Sequence, residues 1–127
     1  ARLSRARFIR RGIFLKNEIV LFTDGDINIE VELSPELETV WLTQKQMGEL
    51  FEVKQATLSE HINNIISSGE LDETSIGFSD KSSGGRKPKI YNLDMILSVG
   101  YRVNSKRGIA FRRWANSVLK KYVIQNH

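Results

Sequence analysis

The chain has no cysteine among its 127 residues, which removes disulfides, thiolate nucleophiles and cysteine-based zinc sites together. Histidine is almost as scarce. His61 and His127 are the only imidazoles, so neither a metal nor another cofactor is expected. One internal histidine, no thiol and no carboxylates clustered in an apolar setting leave no nucleophile–base pair to name, so an enzyme is not expected either. No apolar run nears the ~20 residues that a spanning helix needs, and a signal-peptide pattern is missing. These absences lead to the expectation of a soluble, cytoplasmic protein with no membrane partner. The adjacent Gly84 and Gly85 belong to no G-x-x-x-x-G-K-[ST] arrangement, which excludes a nucleotide-phosphate loop.

What is present is a charge pattern. The formal net charge is only +4, but residues 1–16 carry six basic and no acidic groups, residues 17–80 two basic and fourteen acidic, and residues 81–127 eleven basic and one acidic. A segregation of this kind points to a polyanion-binding face in the C-terminal half, or to self-association of acidic with basic halves. With 40% apolar residues the chain is long enough for one domain with its own core. That domain is expected over residues 17–127. Residues 1–16 lack an initiator Met and differ in composition, and read either as a basic extension or expression remnant, or as an arm lying along DNA phosphates or in a minor groove.

The most informative stretch is 41–66, WLTQKQMGELFEVKQATLSEHINNII. Met47, Leu50 and Phe51, then Leu58, Ile62, Ile65 and Ile66, recur at helical spacing on either side of a short break, the pattern of a helix-turn-helix. Thr43 with Gln46 three residues on forms a capping box that fixes the first helix start. Gly48 lets the second helix cross closely, and Gly69 ends it. Glu52, at the corner, stands where glycine would supply a left-handed conformation without steric cost. Lys54 stands where Ser or Thr would cap the second helix.

Around this stretch the chain alternates strands and helices. Residues 19–33 give two runs about an Asp-Gly turn signal, a β-hairpin whose second strand puts Ile27, Ile29, Val31 and Leu33 on a buried face and Glu30 and Glu32 on an acidic one. Ser34 and Pro35 then turn the chain into Val40, Trp41 and Leu42, expected to pack the entrance of the helix-turn-helix. Residues 76–78 and 90–93 flank a loop carrying Lys81, Arg86, Lys87 and Lys89, a second hairpin placed as a basic wing. Asn92 or Asp94 can cap a helix with Leu93, Ile96, Leu97 and Tyr101 facing inward. A final amphipathic helix over 106–124 puts Phe111, Trp114, Ala115, Val118, Leu119 and Tyr122 on one stripe and Arg112, Arg113, Asn116 and Lys120 elsewhere. The fold class expected is α+β, a winged helix-turn-helix with an N-terminal β-hairpin, a basic wing hairpin and a C-terminal amphipathic helix.

The blocks WLTQKQMGELFEV, TLSEHINNI, GELDE, YNLDMILSVGYRVNSKRG and FRRWANSVLKKY, in that order, resemble the N-terminal region of the RhuM family of bacterial virulence-associated proteins. The resemblance runs over residues 16–124, and the blocks after the wing are also distantly similar to phage antirepressor (Bro-N) domains. It implies DNA binding, and a longer parent with a C-terminal effector region. At the corner the chain has Glu52, Val53, Lys54 and Gln55 where the resemblance leads to a Gly-Val-Ser-Arg turn, and Glu60 where a basic residue often precedes the histidine. Both departures lower the positive charge of the second helix.

Two functions are weighed. The first is binding of double-stranded DNA by a transcriptional regulator of RhuM type acting as a homodimer. The second helix would read bases through Gln55, Ala56, Ser59, Glu60 and Asn63, since Gln and Asn pair bidentately with adenine and Glu accepts from cytosine. Lys45, Lys54, Arg86, Lys87, Lys89, Arg102, Lys106, Arg107, Arg112 and Arg113 would meet phosphates. The alternative is a protein-interaction module of a toxin, phage or defence system that self-associates through its acidic and basic halves. The helix-turn-helix holds two basic and three acidic residues, so attraction for DNA must come from its neighbours.

Overall fold

The computed structural model describes residues 17–79 and 87–125, together with the two-residue strands β1 (Ile9–Arg10) and β2 (Ile13–Phe14), which pair antiparallel. The fold is α+β, with a five-stranded antiparallel sheet and four helices. Its strands are β3 (Glu18–Asp24), β4 (Ile27–Ser34), β5 (Thr39–Thr43), β6 (Ile76–Phe78) and β7 (Lys89–Asn92), in the order β3-β4-β5-β7-β6.

Period-two alternation builds the first hairpin as the sequence implied. Asp24 pairs with Ile27 across a two-residue turn, and Gly25 takes φ +63°, which glycine adopts without the Cβ penalty. Phe22 faces Ile29, Val20 faces Val31, Leu33 faces Val40 and Leu42 faces Tyr91, so one face of the sheet is continuously apolar. The helices cover it. They are α1 (Gln44–Phe51), α2 (Gln55–Ser67), α3 (Leu93–Arg102) and α4 (Arg107–Gln125). Phe111 of α4 is fully buried and meets the Phe22 ring edge-on at 5.2 Å, with Trp114 completing the aromatic cluster.

Three expectations are corrected. Val40, Trp41 and Leu42 do not merely line an entrance; they are the core of β5, the middle strand, and Ser34 closes β4 rather than opening the turn. Glu32 is not on an open acidic face. It is 6% exposed, its Oε2 accepts from the Asn17 amide at 2.6 Å and its Oε1 from the Ser79 hydroxyl at 2.9 Å. Ser34 donates to Asn17 Oδ1 and accepts from the Trp41 indole N–H at 2.9 Å, so the buried polar atoms satisfy one another. Tyr101 points outward, 87% exposed, because residues 95, 96 and 99 of α3 supply the buried stripe and a residue five past Ile96 falls off it.

β6 and β7 pair as the second hairpin, with Ile76 opposite Tyr91 and Gly77 opposite Ile90. A Cβ on Gly77 would lie 3.2 Å from the Trp41 ring, so the indole closes over that glycine. Lys81 and Arg86, expected at the tip, lie outside the described residues.

Candidate nucleic-acid interface

Thr43 ends β5 and caps α1. Its hydroxyl accepts from the Gln46 amide N–H at 3.1 Å while Gln46 Oε1 accepts from the Thr43 N–H at 2.9 Å, the reciprocal capping box. Gln46 also donates to the Glu30 carbonyl at 2.7 Å, fastening the helix start to β4. The turn to α2 is tight. Glu52 adopts φ 57°, ψ 51°, and the Val53 N–H donates to the Gly48 carbonyl at 3.1 Å. A Cβ on Gly48 would lie 3.2 Å from the Val53 carbonyl oxygen and 2.5 Å from Gln55 Nε2, so the close crossing expected of this glycine is present. Lys54 precedes α2 without a side-chain cap. Gln44 supplies the missing restraint, donating to the Gln55 carbonyl at 3.1 Å and to Ser59 Oγ at 2.8 Å.

Gln55, Ala56, Glu60 and Asn63 are exposed on α2, opposite the buried Leu58, Ile62 and Ile65. Ser59 is half-buried with its oxygen already accepting from Gln44. The Gln55 amide folds back across Gly48, so it must swing out to meet a base. His61 is half-buried and its Nδ1 has no partner, in keeping with a packing rather than a reading role.

The basic residues divide into two groups. Arg102 pairs with Glu70 at 3.0 Å. Arg107 is held at one point by three acceptors, Glu52 at 2.7 Å, the Leu50 carbonyl at 3.2 Å and Asp24 at 3.3 Å. Both are committed to internal contacts, although each was expected at phosphates. Lys45, Lys54, Lys89, Lys106, Arg112 and Arg113 are exposed and form no ion pair among the described residues; Lys87 is exposed as well.

Sequence reasoning missed the Arg107 latch, whose partners lie 55 and 83 residues away. Its one trace was the uncompensated acid at the corner. A left-handed conformation costs a non-glycine residue about 1–2 kcal/mol, and the guanidinium on Glu52 holds that turn in place. The same contacts, Glu52 first and then Asp24, raise the Arg107 pKa against the opposing effect of burial.

The Arg102 guanidinium and then the Ser98 hydroxyl hold the Glu70 carboxyl below its ordinary value of 4.5. A carboxyl depressed in the folded state contributes stability above its unfolded value and loses it as pH falls through the folded one. Stability of the wild-type chain should therefore decline below about pH 4.5, and Glu70→Gln should flatten that part of the curve slightly, since the pair is exposed. Denaturant melts of both proteins between pH 3 and 7 check this; identical acid slopes would remove the pair from the account.

An antiparallel sheet that runs into a helical corner, continues into a second hairpin and returns to two further helices defines an α+β domain whose helices carry exposed polar and basic side chains. Residues 73–127 match the family model described as Virulence protein RhuM family. The match takes in β6, β7, α3 and α4, and leaves out the α1–α2 corner. No curated protein and no solved structure matches the chain. Among the described residues no helix is long and apolar enough to cross a membrane.

Proposed function

We propose that the chain is a winged helix-turn-helix domain of RhuM type that binds duplex DNA, as part of a cytoplasmic transcriptional regulator rather than an enzyme. The observation that carries this reading is the setting of the corner. The exposed polar strip of α2 starts three residues from Glu52, and Glu52 is clasped by the first residue of α4, a helix with five basic and no acidic residues. The α2 strip supplies hydrogen-bonding groups without positive charge, and α4 supplies charge beside it. The order β5-β7-β6, with β6–β7 following the corner directly, supports a wing in which Lys87 and Lys89 meet phosphate. A homodimer would offer two corners to half-sites about one helical turn apart.

Selection from a randomised duplex pool tests this reading. Wild type should enrich a defined site, and Asn63→Ala should lose preference at one or two adjacent positions, by about 1–3 kcal/mol for a lost bidentate contact. Binding with no sequence enriched would remove α2 as a reader.

The charge segregation favours a second reading, self-association of acidic with basic halves. Its support is that the two halves already pair within the chain, at Arg102–Glu70 and at Arg107 with Asp24 and Glu52. Light scattering over a salt range separates the readings: a dimer dissociating as salt rises supports the second, and a monomer throughout counts against it.

A further inference from the structure

The α3–α4 junction repeats the α1–α2 corner in backbone detail. In the first corner Gly48 stands four residues before the left-handed Glu52, and the next residue, Val53, donates its N–H to the Gly48 carbonyl at 3.1 Å. In the second, Gly100 stands four residues before the left-handed Asn104 (φ 56°), and the next residue, Ser105, donates to the Gly100 carbonyl at 3.0 Å. In both, the following helix begins three residues past the left-handed position, at Gln55 and at Arg107. The second corner is the better made. Asn replaces Glu at the left-handed site, a residue that tolerates that conformation, and the Ser105 hydroxyl accepts from the Arg107 N–H at 3.2 Å where Lys54 offers no cap. Gly100 and Gly108 also let α3 and α4 cross closely, a Cβ on the first lying 3.7 Å from the Cα of the second.

The helices that leave the two corners differ in charge. α2 has one acid, Glu60, and no Lys or Arg, whereas α4 has five basic residues and no acid. Eight residues past the left-handed position stands Glu60 in the first corner and Arg112 in the second; twelve past stand Asn64 and Asn116. Arg112, Arg113 and Asn116 are exposed, and no hydrogen bond or ion pair engages them among the described residues. From these observations we infer that α3–α4 is a second helix-turn-helix, and that α4 enters the major groove and reads bases through Arg112 and Asn116 instead of only resting on phosphates. Arg matches the paired acceptors of guanine, and Asn the donor and acceptor of adenine. Both helices start beside Glu52, so one duplex can meet both.

The inference rests on the proposed duplex binding and needs a test that separates the two. Asn116 carries no charge, so its loss leaves phosphate attraction intact. In selection from a randomised duplex pool, the full chain with Asn116→Ala should lose discrimination about tenfold or more at one or two adjacent base pairs that Asn63→Ala leaves unaffected, with an unchanged salt slope. Arg112→Ala should relax a neighbouring position. If Asn116→Ala keeps the wild-type preference and Arg112→Ala weakens all sequences alike, α4 touches phosphates only; that outcome overturns the inference and leaves duplex binding standing. If the wild-type chain binds no duplex even at low salt, both fall.

Discussion

Phe51→Ala is expected to destabilise the protein by about 3–5 kcal/mol, the range for emptying a buried phenylalanine site, and to lower Tm by roughly 10–20 °C. The Phe51 ring is 7% exposed and closes α1 against the crossing of α3 and α4. A Cβ on Gly100 would lie 3.0 and 3.1 Å from two of its ring carbons, and one on Gly108 would lie 3.7 Å away. The ring therefore occupies the space that these glycines leave open, and it links the two helical corners. Gly100→Ala should be destabilising in the wild type, where the methyl meets the ring. In the Phe51→Ala background it should be neutral or stabilising, because it partly fills the vacated slot. Thermal melts of the four proteins give the coupling directly. Additive effects would show that the ring does not lie in that slot.

Much of this fold was legible because local chemistry decided it. Thr43 with Gln46 placed the start of α1, alternation placed β3 and β4 about Gly25, and helical spacing placed Phe111, Ala115 and Leu119 on the inner stripe of α4. Illegible were the features set by partners far along the chain. Glu32 alternates with apolar residues as a solvent-facing acid would, and only Asn17 and Ser79, brought in by the sheet, make its burial tolerable. Arg102 and Arg107 have the composition of phosphate contacts, yet acids at or just past the ends of α1, α2 and β3 hold them instead. The equivalence of the two corners was hidden for another reason. Glu52 and Asn104 share a backbone conformation and no side-chain chemistry, so the repeat exists in φ and in hydrogen bonding rather than in letters.

Charge reversal of the two outer arginines of α4 has the other large expected effect. Each phosphate contact to duplex DNA releases condensed counterions and adds about −0.9 to the slope of log K against log salt. Arg112 and Arg113 are exposed and lie outside the latch that fixes Arg107. Arg112→Glu with Arg113→Glu should therefore leave stability within about 0.5 kcal/mol of wild type while weakening duplex binding about 100-fold or more at low salt. The weakening should fade as salt rises, because salt screens the attraction that these two guanidinium groups supply.

The measurement that bears most directly on the account is the salt dependence of duplex binding by the wild-type chain and this double variant, side by side. The account predicts a linear log–log plot for the wild type with a slope corresponding to several phosphates, and a slope smaller by about 2 for the variant. Equal slopes and equal affinities would contradict it, by showing that the basic face of α4 does not meet DNA.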